Sequence, residues 1–330
     1  MTDARKKLLI VAIGAIAVLA GSLPTNAQDA GLLARRAQVC EDPTDTLTLF
    51  AKKLGRNRIG YGLTPKSASI PGPTIEMTEG DCLQVTLVND TDRRLSTHYH
   101  GVSYTVASDG TPLNNSCVRP GRTRSYVIQA QSPTTRTDGS VDPGSAGYWH
   151  YHDHCLGTPH GTGGIKKGLF GALVVKPATG YIEPARRCVL VMSKTTFNLK
   201  KAPRTPRCAS NMGDRVEFIV IGHGELLHTF HLHGHRWSDT KMGTASSVSD
   251  TARIIDNRTV GPADSFGFQV IAGEHVGPGA WMYHCHVQSH SDAGMAGIFM
   301  VRTPEGLVTE AARATMKEYE AMHGDHSHDS

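Results

Sequence analysis

Short runs rich in Val, Ile, Leu and Phe recur along the chain, each closed by Gly, Pro, Asp or Asn. The clearest cover residues 82–88, 125–128, 170–175, 188–192, 215–221, 265–271 and 297–302. Runs of this length between turn residues predict β-sandwich strands rather than alternating strand and helix units. Thirty-five Gly and 17 Pro supply the punctuation. One stretch reads differently: residues 304–323 are rich in Ala, Glu and Met and predict a helix.

The pattern then repeats. Gly80-Asp81 opens a strand and leads to His98-Tyr99-His100-Gly101; Gly213-Asp214 does the same and leads to His231-Leu232-His233-Gly234, a shift of 133. Further on, His152-Asp153-His154 is matched by His284-Cys285-His286 at a shift of 132, with Trp149 and Trp281 three residues ahead of each. Self-similarity at this period predicts two tandem sandwiches with a join near residues 177–184. The organisation expected is an all-β chain with a first domain over 28–178, a second over 179–303, and a C-terminal helix with a His-rich tail over 304–330.

The N-terminus reads as an address. Arg5, Lys6 and Lys7 precede an apolar run over 8–23, and small residues lead to Ala27. This is the layout of a secretory signal peptide, residues 1–27, and the run is short for a membrane span of ~20 residues. An exported protein, periplasmic or secreted and without stable membrane association after processing, is expected. The formal charge of the 330 residues is only +4, with no long basic run, which argues against a nucleic-acid partner. Charged residues at 19% and hydrophobic ones at 39% argue against a disordered chain.

What changes the picture is histidine, 18 in all and mostly in clusters. In a strand, residues i and i+2 share a face, so each His-x-His presents two imidazoles side by side. Four such pairs offer His98, His100, His152, His154, His231, His233, His284 and His286, more nitrogens than one ion takes. They imply a metal cluster built from both halves. Cys285 points opposite to His284 and His286 and must serve a separate metal. Together with His228, His290 and Met295 it gives two imidazoles, a thiolate and a weak thioether, the blue-copper electron-transfer set. The metal held by Cys285 would lie a few covalent bonds from those held by His284 and His286. A one-electron collector wired to a cluster suits the four-electron reduction of dioxygen.

These motifs, with Pro71-Gly72-Pro73-Thr74-Ile75, Gly147-Tyr148-Trp149-His150-Tyr151-His152-Asp153-His154, His228-Thr229-Phe230-His231-Leu232-His233-Gly234-His235, Gly261-Pro262-Ala263-Asp264-Ser265-Phe266 and Trp281-Met282-Tyr283-His284-Cys285-His286-Val287-Gln288-Ser289-His290, resemble those of the multicopper oxidases, most closely the two-domain bacterial small laccases. The resemblance implies two cupredoxin-like Greek-key β-sandwiches and four coppers per subunit. It implies a type 1 copper at His228, Cys285, His290 and Met295, a type 2 copper at His98 and His231, and a type 3 pair at His100, His152, His154, His233, His284 and His286, with the division of those six left open. It further implies a phenolic or aromatic donor, dioxygen as acceptor, and a homotrimer whose trinuclear sites lie between chains. Asp109 and Asp256 match acidic positions that supply protons, and Tyr104 matches a tyrosine near the cluster. The donor is expected near His228 or His290, whose outer edges should reach the surface.

Other readings fit less well. Copper nitrite reductases share the two-domain architecture but carry their blue-copper ligands in the first domain, whereas Cys285 is in the second half. A carrier or storage cupredoxin has no use for eight further imidazoles. A cuprous or metal-ion oxidase of copper resistance is the main alternative, though the ten Met are scattered. The family pattern and the position of Trp149 favour His152 and His154 over His150 as ligands. His160, His223, His235 and His275 have no repeat partners and read as supporting, loop or surface residues. Cys40, Cys82, Cys117, Cys155, Cys188 and Cys208 allow 15 pairings, none preferred.

Overall fold

The computed structural model describes residues 39–324. The expected export signal and the tail histidines His326 and His328 lie outside them. The chain forms two β-sandwiches in tandem. In the first, one sheet has the order Ile59–Gly62, Asp45–Lys53, Cys82–Asp90, Thr123–Gln129. Its second sheet has the order Ile75–Thr78, Phe170–Lys176, Gly147–His152, His98–Tyr99. The second sandwich repeats both: Thr196–Phe197, Arg186–Ser193, Arg215–His223, Ser265–Ile271, and Arg207–Asn211, Ala296–Arg302, Gly279–Cys285, His228–Leu232, with Asn257–Val260 added at the edge. The parallel pairings recur too, Asp45–Lys53 on Cys82–Asp90 and Arg186–Ser193 on Arg215–His223.

Alternation explains where each core sits. Along Cys82–Asp90 buried and half-buried residues alternate from Val85 on, and Val85 and Leu87 meet Leu49, Tyr126, Ile128 and Leu173 inside the first sandwich. Phe218, Val220, Phe230, Phe268 and Phe299 fill the second. Arg215–His223 breaks the alternation, with every residue after Arg215 buried. A strand covered on both faces reads as a continuous apolar run. Its outer face, Ile219 and Ile221 with Val191, packs against Tyr148, Phe170, Ala172 and Val174 of the first sandwich.

The corresponding outer face of the second sandwich is Ala280, Ala296, Ile298 and Met300, since Phe170 pairs with His152 as Ala296 pairs with His284. Ala202, Met316 and Tyr319 cover it, the last two from the C-terminal helix Glu310–His323. The helix thus does for the second sandwich what the second does for the first. It starts later than the residue 304 expected from composition. Thr303 accepts a turn hydrogen bond from Gly306, whose φ of 84° is left-handed, and Thr309 caps the helix by accepting from the Ala312 amide at 3.1 Å.

The glycine after the first His-x-His has a packing reason. Gly101 has φ 77°, and a Cβ there would lie 1.9 Å from Cδ2 of Trp149. Gly234 faces Trp281 in the same way, at 2.9 Å. Gly101→Ala should therefore cost at least about 2 kcal/mol, through left-handed strain and displacement of the indole. A denaturant midpoint unchanged from the parent would contradict this.

Candidate metal centres

The strands place the imidazoles in two quartets built alike. His98 stands opposite His152, and His231 opposite His284. In the first quartet the rings of His98, His100, His152 and His154 lie 5.1–5.6 Å apart. In the second, those of His231, His233, His284 and His286 lie 4.8–5.5 Å apart. Nε2 of His100 is 3.2 Å from Nε2 of His152, and the equivalent His233–His284 distance is 3.1 Å. Two nitrogens bound to one ion at about 2.0 Å each stand roughly 3.3 Å apart. Each pair therefore fits a shared ion. Among the described residues no ring contact joins the two quartets, and each stands by itself within the chain.

The ring tautomers follow from backbone carbonyls. Nδ1 of His98 donates to the Asp109 carbonyl at 2.6 Å, and Nδ1 of His231 to that of Asp256 at 2.8 Å. His152 and His284 donate to the carbonyls of Asp153 and Cys285, both at 2.8 Å, and His154 to that of Pro159 at 2.7 Å. Each bond places the proton on Nδ1 and leaves the Nε2 lone pair free for a metal. Burial and the neighbouring imidazoles favour the neutral form of five of the eight: His100 is pushed down to about 4, His152 falls well below the usual range, and His98, His233 and His284 are also lowered. Neutral imidazole is the form that ligates.

The second centre lies on the other face of the same strands. Along His228–Leu232, residues 228, 230 and 232 point inward and 229 and 231 outward. The strand thus sends His228 to the interior and His231 to the open quartet. Cys285 is the free cysteine among the described residues and is buried, with Sγ 3.8 Å from Nδ1 of His228 and 3.6 Å from Nδ1 of His290. A sulfur and a nitrogen on one ion stand about 3.6 Å apart. Met295 is fully buried in the same core, and its carbonyl accepts from the Cys285 amide at 3.1 Å. The expectation that His228 reaches the surface is wrong. It is 0% exposed, because its strand turns it inward, and burial followed by His290 pushes its pKa to about 4. His290, on the short helix Gln288–Asp292, is only half-buried.

Asp109 stands beside the first quartet, with Oδ1 3.5 Å from Nδ1 of His98. It accepts from Thr111 and Asn114. The Tyr104 ring meets that of His98 edge-on at 5.8 Å, and burial followed by Asp109 raises its pKa. Asp256 is the repeat counterpart of Asp109, bonded to His231 through its carbonyl, with a largely exposed carboxylate. Only the family resemblance points to these two acids in the sequence. Their equivalence in the repeat emerges only from the His-to-carbonyl bonds.

Several residues carry more than the sequence suggested. Asp153 occupies the position of Cys285 in the first sandwich, and its carboxylate, 0% exposed, accepts from the Ser96 and Leu156 amides at 2.7 Å each. Leu95 stands where the second sandwich has His228. The first sandwich therefore has a backbone clamp in place of a thiolate centre, which comparing residues 153 and 285 across the repeat would have revealed. His235 links the His233 carbonyl, through Nδ1 at 3.0 Å, to the Gly273 amide, through Nε2 at 3.1 Å. His150 and His223 are buried together between the sandwiches, whereas His160 is exposed. Six cysteines pair as Cys40–Cys82, Cys117–Cys155 and Cys188–Cys208.

The chain matches two family models, both described as multicopper oxidase, over residues 66–180 and 181–305. It is 33% identical over 279 residues to a probable nitrite reductase–hydroxylamine oxidoreductase fusion protein of Kuenenia stuttgartiensis, covering 78% of this chain and 30% of that protein. It is 26% identical over 151 residues to Laccase-7 of Arabidopsis thaliana, covering 45% of this chain and 23% of that one. This chain thus spans a third or less of these relatives' lengths. A solved multicopper oxidase, mgLAC, superposes with a TM-score of 0.60 at 21% identity, covering 81% of this chain and 88% of that one, and shares the tandem cupredoxin-like fold.

Proposed function

The chain belongs to the multicopper oxidases, and we propose that within this family it acts as a laccase, taking single electrons from phenolic or related aromatic donors and passing four to dioxygen. The observation that carries this reading is the pair of equivalent half-sites in one chain, with Cys285 set between two of their ligands. We assign His228, Cys285, His290 and Met295 to a type 1 copper. His98 and His231 would hold a type 2 copper, and His100, His152, His154, His233, His284 and His286 the type 3 pair. The 3.1–3.2 Å contacts support His100 with His152 on one type 3 ion and His233 with His284 on the other. When bound, the four coppers would supply one-electron oxidation of the donor and four-electron reduction of dioxygen to water.

The protein's own groups do the rest. His290, half-buried, would be the point at which a donor docks, and Leu226 and Leu227, both exposed, adjoin His228 in sequence and suit an aromatic face. Asp109 and Asp256 would relay protons beside the quartets, with the Tyr104 ring against that of His98. Because one chain holds half-sites, the cluster is completed between chains, and a head-to-tail ring of three closes such an interface. Three disulfides suit the oxidising compartment that export would provide. The nitrite-reductase name of the Kuenenia relative points to a different acceptor, but Asp153 in place of a first-domain thiolate favours oxygen chemistry. Metal-ion oxidation, as in copper resistance, is the competing donor class.

The test is to purify the protein, count copper per chain, record the visible spectrum, and follow oxygen uptake with a phenol and with cuprous ion. A blue protein with about four coppers per chain and phenol-driven uptake is expected. A colourless protein, or uptake driven by cuprous ion and not by phenol, would overturn the laccase assignment.

A further inference from the structure

Three rings of the first quartet are tied by Nδ1 to backbone carbonyls: His98, His152 and His154. His100 is not. Its amide donates to the His150 carbonyl at 3.0 Å, which fixes the backbone, but among the described residues no carbonyl bond sets the plane of its ring. A different contact does so. The His150 ring stacks on that of His100 with centroids 3.9 Å apart and planes 25° from parallel.

His150 is itself held from the second sandwich. It is fully buried, and its Nδ1 lies 3.5 Å from Oγ of Ser265. That hydroxyl donates to the Tyr148 carbonyl at 2.9 Å, so at His150 it acts as acceptor and the proton is on Nδ1. The His223 ring, also buried, meets His150 edge-on at 5.0 Å. Among the described residues no imidazole stacks in this way on a quartet ring of the second sandwich. There the residue equivalent to His150 is Met282, whose carbonyl accepts from the His233 amide at 2.9 Å, while its side chain packs near the C-terminal helix. The backbone part of the arrangement is common to both halves, and the stacked imidazole belongs to the first alone.

We propose that His150, backed by Ser265 and His223 across the sandwich interface, is a positioning residue that sets the ring plane of His100 for metal binding. It acts through its flat face and does not itself ligate. Packing between the two sandwiches of one chain therefore fixes one arm of a site whose other half is supplied elsewhere. The inference rests on His100 being a copper ligand, as assigned above.

The experiment compares the copper-loaded protein with His150→Phe, which keeps a flat ring, and His150→Gln, which keeps a polar group without one. The readouts are copper retained against a chelator, the paramagnetic resonance and near-ultraviolet signals of the cluster, and the type 1 visible band as an internal control. His150→Gln should lose about 10–100-fold in cluster copper affinity, the usual cost of removing a ligand's supporting partner, and should shift the cluster signals. His150→Phe should stay within a few-fold of the parent, and the type 1 band should be unchanged in both. Equal losses in the two variants, or no loss in His150→Gln, would overturn the proposal, as would loss of one copper in His150→Phe, which would make His150 a ligand. A parent protein that shows no cluster signals would instead refute the copper assignment beneath it.

Discussion

Replacing Cys285 with serine should abolish the visible thiolate–copper band, remove one copper per chain, and cut turnover of an aromatic donor by on the order of a thousandfold. The size of the effect follows from the position. The thiol is buried, the imidazoles of His228 and His290 converge on it at 3.6–3.8 Å, and the flanking His284 and His286 belong to the other centre. A serine hydroxyl fits the space and keeps the backbone link to both neighbours, but it offers no soft thiolate to hold the metal or pass it an electron. The quartets use opposite strand faces, so cluster copper should load as before. A Cys285→Ser protein that still oxidises the donor at the parental rate would be incompatible with the centre described.

The second large effect concerns two chains that are each inactive alone. One carries His100→Ala with His152→Ala and so lacks the first half-site; the other carries His233→Ala with His284→Ala and lacks the second. Assembled together in equal amounts, they should regain about a quarter of the parental activity, because random head-to-tail association brings two intact halves together at roughly one interface in four. Each chain on its own should give none. If the mixture remains as inactive as its components, the half-sites close within a chain and the ring arrangement is wrong.

Much of this was legible in the residues, for reasons the structure makes plain. The four His-x-His pairs stood out because strand geometry forces i and i+2 onto one face, and the repeat could be counted because both halves keep the same spacing. The strand over 265–271 emerges with the bounds expected, Ser265–Ile271, since Asp264 and Ala272 flank a run of alternating character. What the sequence hid lay in contacts across distance. For His228, by contrast, Phe230 and Leu232, two and four residues after it, do mark the inward row, a signal that the expected donor entrance at His228 overrides. The disulfides could not be chosen because pairing depends on which strands become neighbours. The helix was placed too early because Ala, Glu and Met content cannot register the turn at Gly306 or the cap at Thr309. Asp153 escaped notice because its role appears only when residue 153 is laid over residue 285.

The helix Glu310–His323 has a meaning beyond its own packing. In a tandem array every unit offers its successor the same adhesive side, and the last unit has none to receive it. Here Met316 and Tyr319 lie over that side, with the Tyr319 hydroxyl donating to the Ala296 carbonyl at 2.9 Å. The segment occupies that side of the second sandwich and keeps it from lying open as a sticky surface. A chain trimmed of it would present Ile298, Met282 and Met300 as a template for uncontrolled stacking.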